Sequence, residues 1–478
     1  MFDYRTFATR KLAALGPKYL PFADVASAEV PLSRLLRLSL FQVTVGMALV
    51  MLVGTLNRVM IVELAVPATL VAVMLALPLV FAPFRTLIGY KSDIHVSALG
   101  LRRIPYIWKG TLCQFGGFAI MPFALLVLSG YGEAVDAPRW IGLSAAALAF
   151  LLVGAGVHIV QTVGLALATD LVREQDQPKV VGLMYVMLLL GMVASALIYG
   201  ALLENYTPGR LIQVIQGSAV VTVALNLAAM WKQEARSRAR AQEMKAARPM
   251  AFQAAWTQLA QTKGIMRLLA VICLGTFGFG MADVLLEPYG GQVLGLSVAD
   301  TTKLTALFAS GTLVGFGIAS KLLSGTTAPE NLAMTGTAIG APGFGAIILA
   351  ALGGGTPVFL LGTFMVGLGA GLFGHATLTA MMRAAPKDRI GLALGAWGAA
   401  QATAAGVGVA LAGIVRDIIV GLQAPSGSAA HAPYTVVFSI EALALLAAIV
   451  LVLPMARRVA KPAEIKTTPT QSNRMEAS

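Results

Sequence analysis

The sequence predicts an all-α polytopic membrane protein of twelve transmembrane helices, arranged as two pseudo-symmetric six-helix halves. Three observations lead there. Hydrophobic residues make up 57% of the 478 and charged residues 12%, with a mean hydropathy of +0.79. No water-soluble packing covers that much apolar surface. Apolar segments of roughly 20–28 residues recur along the chain, each long enough to cross a hydrocarbon core about 30 Å thick. One of them, residues 41–64, returns in diverged form after mid-chain, starting at Gly280.

In chain order, an amino-terminal arm (1–37) precedes spans near 38–63, 67–88, 105–129, 140–168, 180–203 and 210–231, the first half being 38–231. A basic connector (232–265) carries Arg236, Arg238, Arg240, Lys245, Arg248 and Lys263. Its basic residues alternate with Ala, Met, Phe252 and Trp256, a pattern that suits an interfacial helix on anionic lipid or a partner surface; a solvated linker is the plainer alternative. The second half (266–455) has spans near 266–290, 301–323, 331–352, 356–381, 390–415 and 434–455, and the tail (456–478) is predicted to be disordered.

The net charge of +13 is explained by topology. The arm, the 85–109 loop, the connector and the tail fall on one side and hold most of the Lys and Arg. The other side has only Arg58, Arg139, Arg210, Lys303 and Arg416 of the 35, so both termini are predicted to be cytoplasmic and nucleic acid is not expected as a partner. Cys113 and Cys273 lie within spans and form no disulfide or metal framework. The N-terminus lacks a short apolar core with a cleavage site, so the first span is expected to do the targeting.

Gly46-Met-Ala-Leu-Val-Met-Leu aligns without gaps on Gly280-Met-Ala-Asp-Val-Leu-Leu, and the loop after the fourth span resembles the loop after the tenth. Two parallel six-helix repeats about an axis along the membrane normal are the major facilitator superfamily architecture. The loop after the second span, Gly89 to Arg102-Arg103, resembles that superfamily's cytoplasmic signature with extra residues inserted.

Catalytic patterns are absent, and the chain is not expected to be an enzyme. Gly369-Ala-Gly371-Leu-Phe-Gly374 matches GxGxxG formally, but it lies inside a span with no preceding strand, where glycines serve close helix packing. Intramembrane charges are the functional candidates. Arg58 is placed at the outer interface as a snorkelling anchor. Asp283 and Glu287 share one face of the seventh span at i and i+4, replacing Leu49 and Val53 of the first; they suit proton coupling, or simple exposure to an outer vestibule. Glu441 lies more than a turn inside the last span with no obvious partner. Two histidines lie inside spans, each with glycine one turn earlier: His158 after Gly154 and His375 after Gly371. Such a histidine could ligate a metal already held in a flat macrocycle lying over the bare backbone, while free Mg²⁺ would prefer oxygen ligands. The alternative is a histidine hydrogen-bonded between helices.

Beyond these readings, several runs carry a family resemblance. They are Leu20-Pro21-Phe22-Ala23-Asp24, Leu36 to Gln42, Val53 to Leu64, Phe81-Ala82-Pro83-Phe84-Arg85 with Ile88-Gly89, Lys91-Ser92-Asp93, Arg103-Ile104-Pro105-Tyr106 and Gln114-Phe115-Gly116-Gly117. Together with Phe277 to Leu286 and Gly371 to Thr377 they resemble the PucC/LhaA family, over nearly all the spans. The resemblance implies a bacteriochlorophyll-delivery branch of the major facilitator superfamily in the inner (intracytoplasmic) membrane of purple phototrophs. Such members are light-harvesting complex assembly factors that bind bacteriochlorophyll transiently and pass it to antenna polypeptides. Bacteriochlorophyll synthase, the membrane insertion machinery and membrane lipid are further implied partners. The competing reading is a proton-coupled secondary transporter of a small solute working by alternating access, with Asp283 and Glu287 as its coupling groups.

Overall fold

In the computed structural model the described residues are 30–80, 88, 91–92, 101–130, 136–173, 176–234, 257, 259–262, 264–384, 390–422 and 430–460. Most of the amino-terminal arm, most of residues 81–100, most of the basic connector beyond 234 and the tail beyond 460 lie outside them; residues 456–460, assigned to the disordered tail from the sequence, continue the last helix instead. Twelve principal helices are present among the described residues, the shortest, Ala68–Val80, having 13 residues. The first half has α1 (Leu32–Glu63), α2 (Ala68–Val80), α3 (Ile104–Ser129), α4 (Arg139–Asp170), α5 (Gln177–Leu202) and α6 (Pro208–Met230). The second has α7 (Ile265–Gln292), α8 (Val298–Leu323), α9 (Pro329–Leu349), α10 (Gly355–Ala384), α11 (Ile390–Leu422) and α12 (Ala432–Ala460). Twelve alternating spans bring Leu32 and Ala460 to one end, the terminal end; the opposite end is the far end.

Local chemistry sets the helix ends. Ser297 and Asp300 form a reciprocal capping box at the start of α8, the Ser297 hydroxyl accepting from the Asp300 N–H at 3.1 Å. Thr207 caps α6 in one direction only, its hydroxyl accepting from the Arg210 N–H at 3.0 Å, with Pro208 at the first helical position. Between α9 and α10 the chain reverses within one turn, where Gly353 and Gly355 take φ of +118° and +65°, a region that favours residues without a Cβ.

The two halves repeat their neighbours. α1 packs on α5 as α7 packs on α11, α3 on α6 as α9 on α12, and α3 on α4 as α9 on α10. The halves meet through α2 against α11 and α5 against α8, the repeat-related pairs. The aligned glycines occupy matching places: a side chain at Gly46 would run into the backbone of Leu188 and Met192 on α5, and one at Gly280 into that of Ala405 on α11. Helices in lipid gain nothing from hydrophobic exclusion, so such close backbone approach is a main source of their cohesion. This is the major facilitator fold, with α1 and α7 facing each other near its pseudo-twofold axis.

Candidate functional site

Helix α1 winds into wider π-type turns over Val50–Leu56 and Val59–Glu63, a distortion that recurs at functional sites. Helix α7 carries Pro288, which has no N–H and so leaves the carbonyl of Val284 without its helical donor. Asn57 of α1 supplies one: its Nδ2 donates to the Val284 oxygen at 3.0 Å, and at 3.4 Å to that of Asp283. Beside it the hydroxyls of Thr55 and Thr302 lie 3.3 Å apart. Gly54 sits so close to the Thr305 hydroxyl that no Cβ would fit between them. Thr305 in turn donates to Glu287 Oε1 at 2.9 Å. A polar seam therefore joins α1 to α7 and α8 within the membrane.

That seam borders a cavity of about 90 Å³ lined by Leu49, Val53, Met192, Asp283, Glu287 and Thr305, with Ala282, Leu286 and Phe308 completing it. The two aligned pairs face one space, Leu49 and Val53 from the first repeat and Asp283 and Glu287 from the second. Glu287 is only 3% exposed and Asp283 half-buried, so the pair is not displayed on an open vestibule in this conformation. Glu441, fully buried on α12, lies against the backbone of Ala282 within electrostatic range of Asp283. Its one polar neighbour in that direction among the described residues is the Ala282 backbone, at a geometry looser than a normal hydrogen bond.

Arg58 does not snorkel. It is 4% exposed, pairs with Glu63, and donates from Nη2 to the Leu296 carbonyl of the α7–α8 connection at 3.1 Å, bridging the halves at the far end. Around it the Tyr206 phenol, in the α5–α6 connection, is pushed up to about 12, first by burial and then by the Glu63 carboxylate, with Arg58 partly opposing. Two more far-end ties cross the halves: Asp417 of α11 accepts the Thr69 N–H of α2 at 2.7 Å, and Lys303 of α8 reaches Glu204 at 3.1 Å.

The histidines lie elsewhere. His375 on α10 is about 13 Å along the helix from Ala384, toward the terminal end, and its ring meets Phe316 edge-on with centroids 4.1 Å apart. Phe316 stacks in turn on Tyr185 of the other half at 6.3 Å. His158 is half-buried on α4. The bare backbone expected one turn before each histidine is filled. A Cβ at Gly154 would strike the Pro78 ring, and one at Gly371 the α8 backbone at Thr312 and Phe316. The two glycines are consumed by helix packing, so neither leaves a cradle for a macrocycle while α2 and α8 stay where they are. Gly369 likewise packs on Gly336 and Gly340 of α9, as a glycine-packing rather than a dinucleotide motif requires. A larger recess, about 330 Å³, opens between α5 and α6; Met47, Tyr199, Val214 and Val221 help to line it, with Arg210 at the far end, and the Tyr199 and Ser218 hydroxyls 2.7 Å apart inside.

A family model described as PUCC protein matches residues 55–460. The chain belongs to the PucC family. Protein PucC of Rhodobacter capsulatus is 70% identical to it over 457 residues, 95% of this chain and 99% of that protein. Protein PucC of Rhodovulum sulfidophilum is 60% identical over 90% of this chain and 94% of that one. At greater distance, the bacteriochlorophyll synthase 44.5 kDa chain of R. capsulatus is 28% identical, covering 87% of this chain and 93% of its own length. Among solved structures, a bacterial homologue of the iron transporter ferroportin in an inward-facing state superposes with a TM-score of 0.63 at 16% identity, over 89% of this chain and 99% of that one. A bacterial homologue of the human lysosomal transporter Spinster gives 0.62 at 14%, over 89% and 95%. At those identities the likeness is one of fold. This chain thus shares the fold of those proteins, and the cavity between its halves is lined by two carboxylates and leaves little room.

Proposed function

We propose that this PucC-family protein is a non-enzymatic assembly factor for light-harvesting complexes in the inner membrane of a purple phototroph, binding bacteriochlorophyll and delivering it to antenna polypeptides. The observation that supports it is full-length similarity, at 70% identity over 95% of the chain, to a PucC protein of a purple bacterium. Bacteriochlorophyll synthase and the insertion machinery are natural neighbours on such a route, since pigment and nascent helix must arrive together.

Geometry limits how the cargo is held. A 90 Å³ space between the halves is far below the roughly 300–1,000 Å³ of small-molecule sites, so a tetrapyrrole does not enter it in this conformation. The lipid-facing surface is the better route, because pigment and antenna helices are already dissolved in the bilayer, and the α5–α6 recess is the larger opening. For His375 or His158 to ligate pigment over Gly371 or Gly154, α8 or α2 would have to withdraw. Purification of the protein from phototrophic cells tests this reading. Bacteriochlorophyll absorption and antenna subunits should copurify; absence of pigment together with normal antenna levels in a deletion strain would sink it. Full pigment binding by both His158→Leu and His375→Leu would remove the histidine ligands and leave only the scaffold role.

One observation favours a second reading, proton-coupled alternating access: Asp283 and Glu287 line the cavity between the halves. Unchanged transport in an Asp283→Asn, Glu287→Gln double mutant would eliminate it.

A further inference from the structure

The cavity between α1, α5, α7 and α8 is lined by more carboxyl oxygens than it has donors to meet them. From the second half come Asp283, Glu287 and Thr305; from the first come only Leu49, Val53 and Met192. Glu287 spends one oxygen on the Thr305 hydroxyl, while the other, Oε2, is buried and meets no donor among the described residues. Glu441 on α12 lies against the Ala282 backbone and does not line this cavity. No Lys or Arg among the described residues lines the cavity, and Arg58, Lys303 and Arg416 of the flanking helices pair with Glu63, Glu204 and Asp417 instead. Carboxylate oxygens facing no donor are costly at membrane depth unless something positive joins them.

Size and donor type narrow what that is. At about 90 Å³ the cavity is well below the roughly 300–1,000 Å³ of sites for organic ligands, and is better matched to an ion with its waters. Carboxylates and a hydroxyl are oxygen donors, the set that hard cations take and soft metals do not. No group of three or more His, Cys, Asp and Glu among the described residues converges as a metal cage, which argues against a tightly held divalent ion.

We infer that this cavity binds a small monovalent inorganic cation, held by Glu287 Oε2, the Asp283 carboxylate and the Thr305 hydroxyl. The ion draws its ligands from the second half and its apolar walls from the first. Its binding therefore couples to how closely α1 lies on α7 and α8, where Gly54 abuts Thr305. The site is independent of pigment handling and stands or falls separately from it.

The test is thermal unfolding of the purified full-length protein in lipid nanodiscs at fixed pH, with NaCl or KCl titrated against choline chloride at constant ionic strength. Sodium or potassium should raise the midpoint saturably while choline does not. Glu287→Gln should weaken the apparent cation affinity by about tenfold or more, and Thr305→Val by a smaller factor. If Glu287→Gln does not fold, Thr305→Val and Asp283→Asn decide, and both must weaken the response. Equal effects of choline and the alkali cations would overturn the inference. So would an undiminished response in the variants, or a midpoint that follows pH and ignores every cation, as a site for a proton alone would.

Discussion

The two halves share one frame but are held together internally by different chemistry. In the first, α1, α3 and α6 are joined by amides and hydroxyls toward the terminal end: Asn226 reaches Thr111 at 3.0 Å and Gln114 at 3.3 Å, and Thr44 donates to Asn226 at 2.9 Å, all fully buried. In the second, the corresponding helices α7, α9 and α12 are joined by rings toward the far end. Tyr289 lies 5.5 Å from Tyr434 and 5.4 Å from Phe438 edge-on, and its hydroxyl donates to the Ile347 carbonyl at 2.7 Å. Hydrogen bonds between membrane helices are directional but modest, whereas ring clusters contribute through contact area. The difference teaches that duplication preserved backbone approach, as at Gly46 and Gly280, and left the side-chain adhesive free to diverge.

Substitutions can break this contrast in graded steps. Tyr289→Ala should have the largest effect, about 3–5 kcal/mol from the ring cavity at the centre of the aromatic cluster, read as a lowered unfolding midpoint in detergent. Asn226→Leu should cost less, about 1–2 kcal/mol, because membrane helix hydrogen bonds are individually weak even when Thr111 and Gln114 lose a partner. A larger loss than Tyr289→Ala would reverse the assignment of which half relies on packing. Tyr289→Phe, which keeps the ring and deletes only the bond to Ile347, should fall near 1 kcal/mol. Lys303→Ala, in an exposed pair with Glu204, should shift stability by no more than about 0.5 kcal/mol. Tyr206 gives a pH signature outside the spans. Its pKa, pushed up from 10.0 to about 12, means the folded state keeps the phenol proton longer. Stability linked to it is complete below pH 10 and lost as pH rises through about 12, and Tyr206→Phe should abolish that alkaline loss.

Much of the frame was legible because each span is one contiguous apolar run, and the reversal at Gly353–Gly355 separates α9 from α10 just where two runs were distinguished. The site was half legible. Asp283 and Glu287 stand out as charges in an apolar run, and the repeat register pairs them with Leu49 and Val53, which the structure brings to the same cavity. The anchoring role of Arg58 at that end is legible, but its burial is not: the partner carbonyl at Leu296 is 238 residues away, and nothing local distinguishes a snorkelling arginine from a bridging one. The Asn57 bond escaped notice for the same reason: Pro288 announces a freed carbonyl, but the donor that takes it comes from the other half. Whether a glycine leaves open backbone or a packed seam depends on the neighbouring helix, which is why Gly154 and Gly371 read as open and are filled.

The Asp417 bond to Thr69 has a consequence for how the molecule is put together. The first turn of α2 has N–H groups that its own residues cannot satisfy, and the acceptor for Thr69 arrives on α11, 348 residues later in the chain. During synthesis the Thr69 N–H can meet its Asp417 acceptor only after almost the whole polypeptide has been made. Expressed as two separate fragments, the first half should therefore begin α2 with a frayed turn that tightens only when the second fragment is supplied.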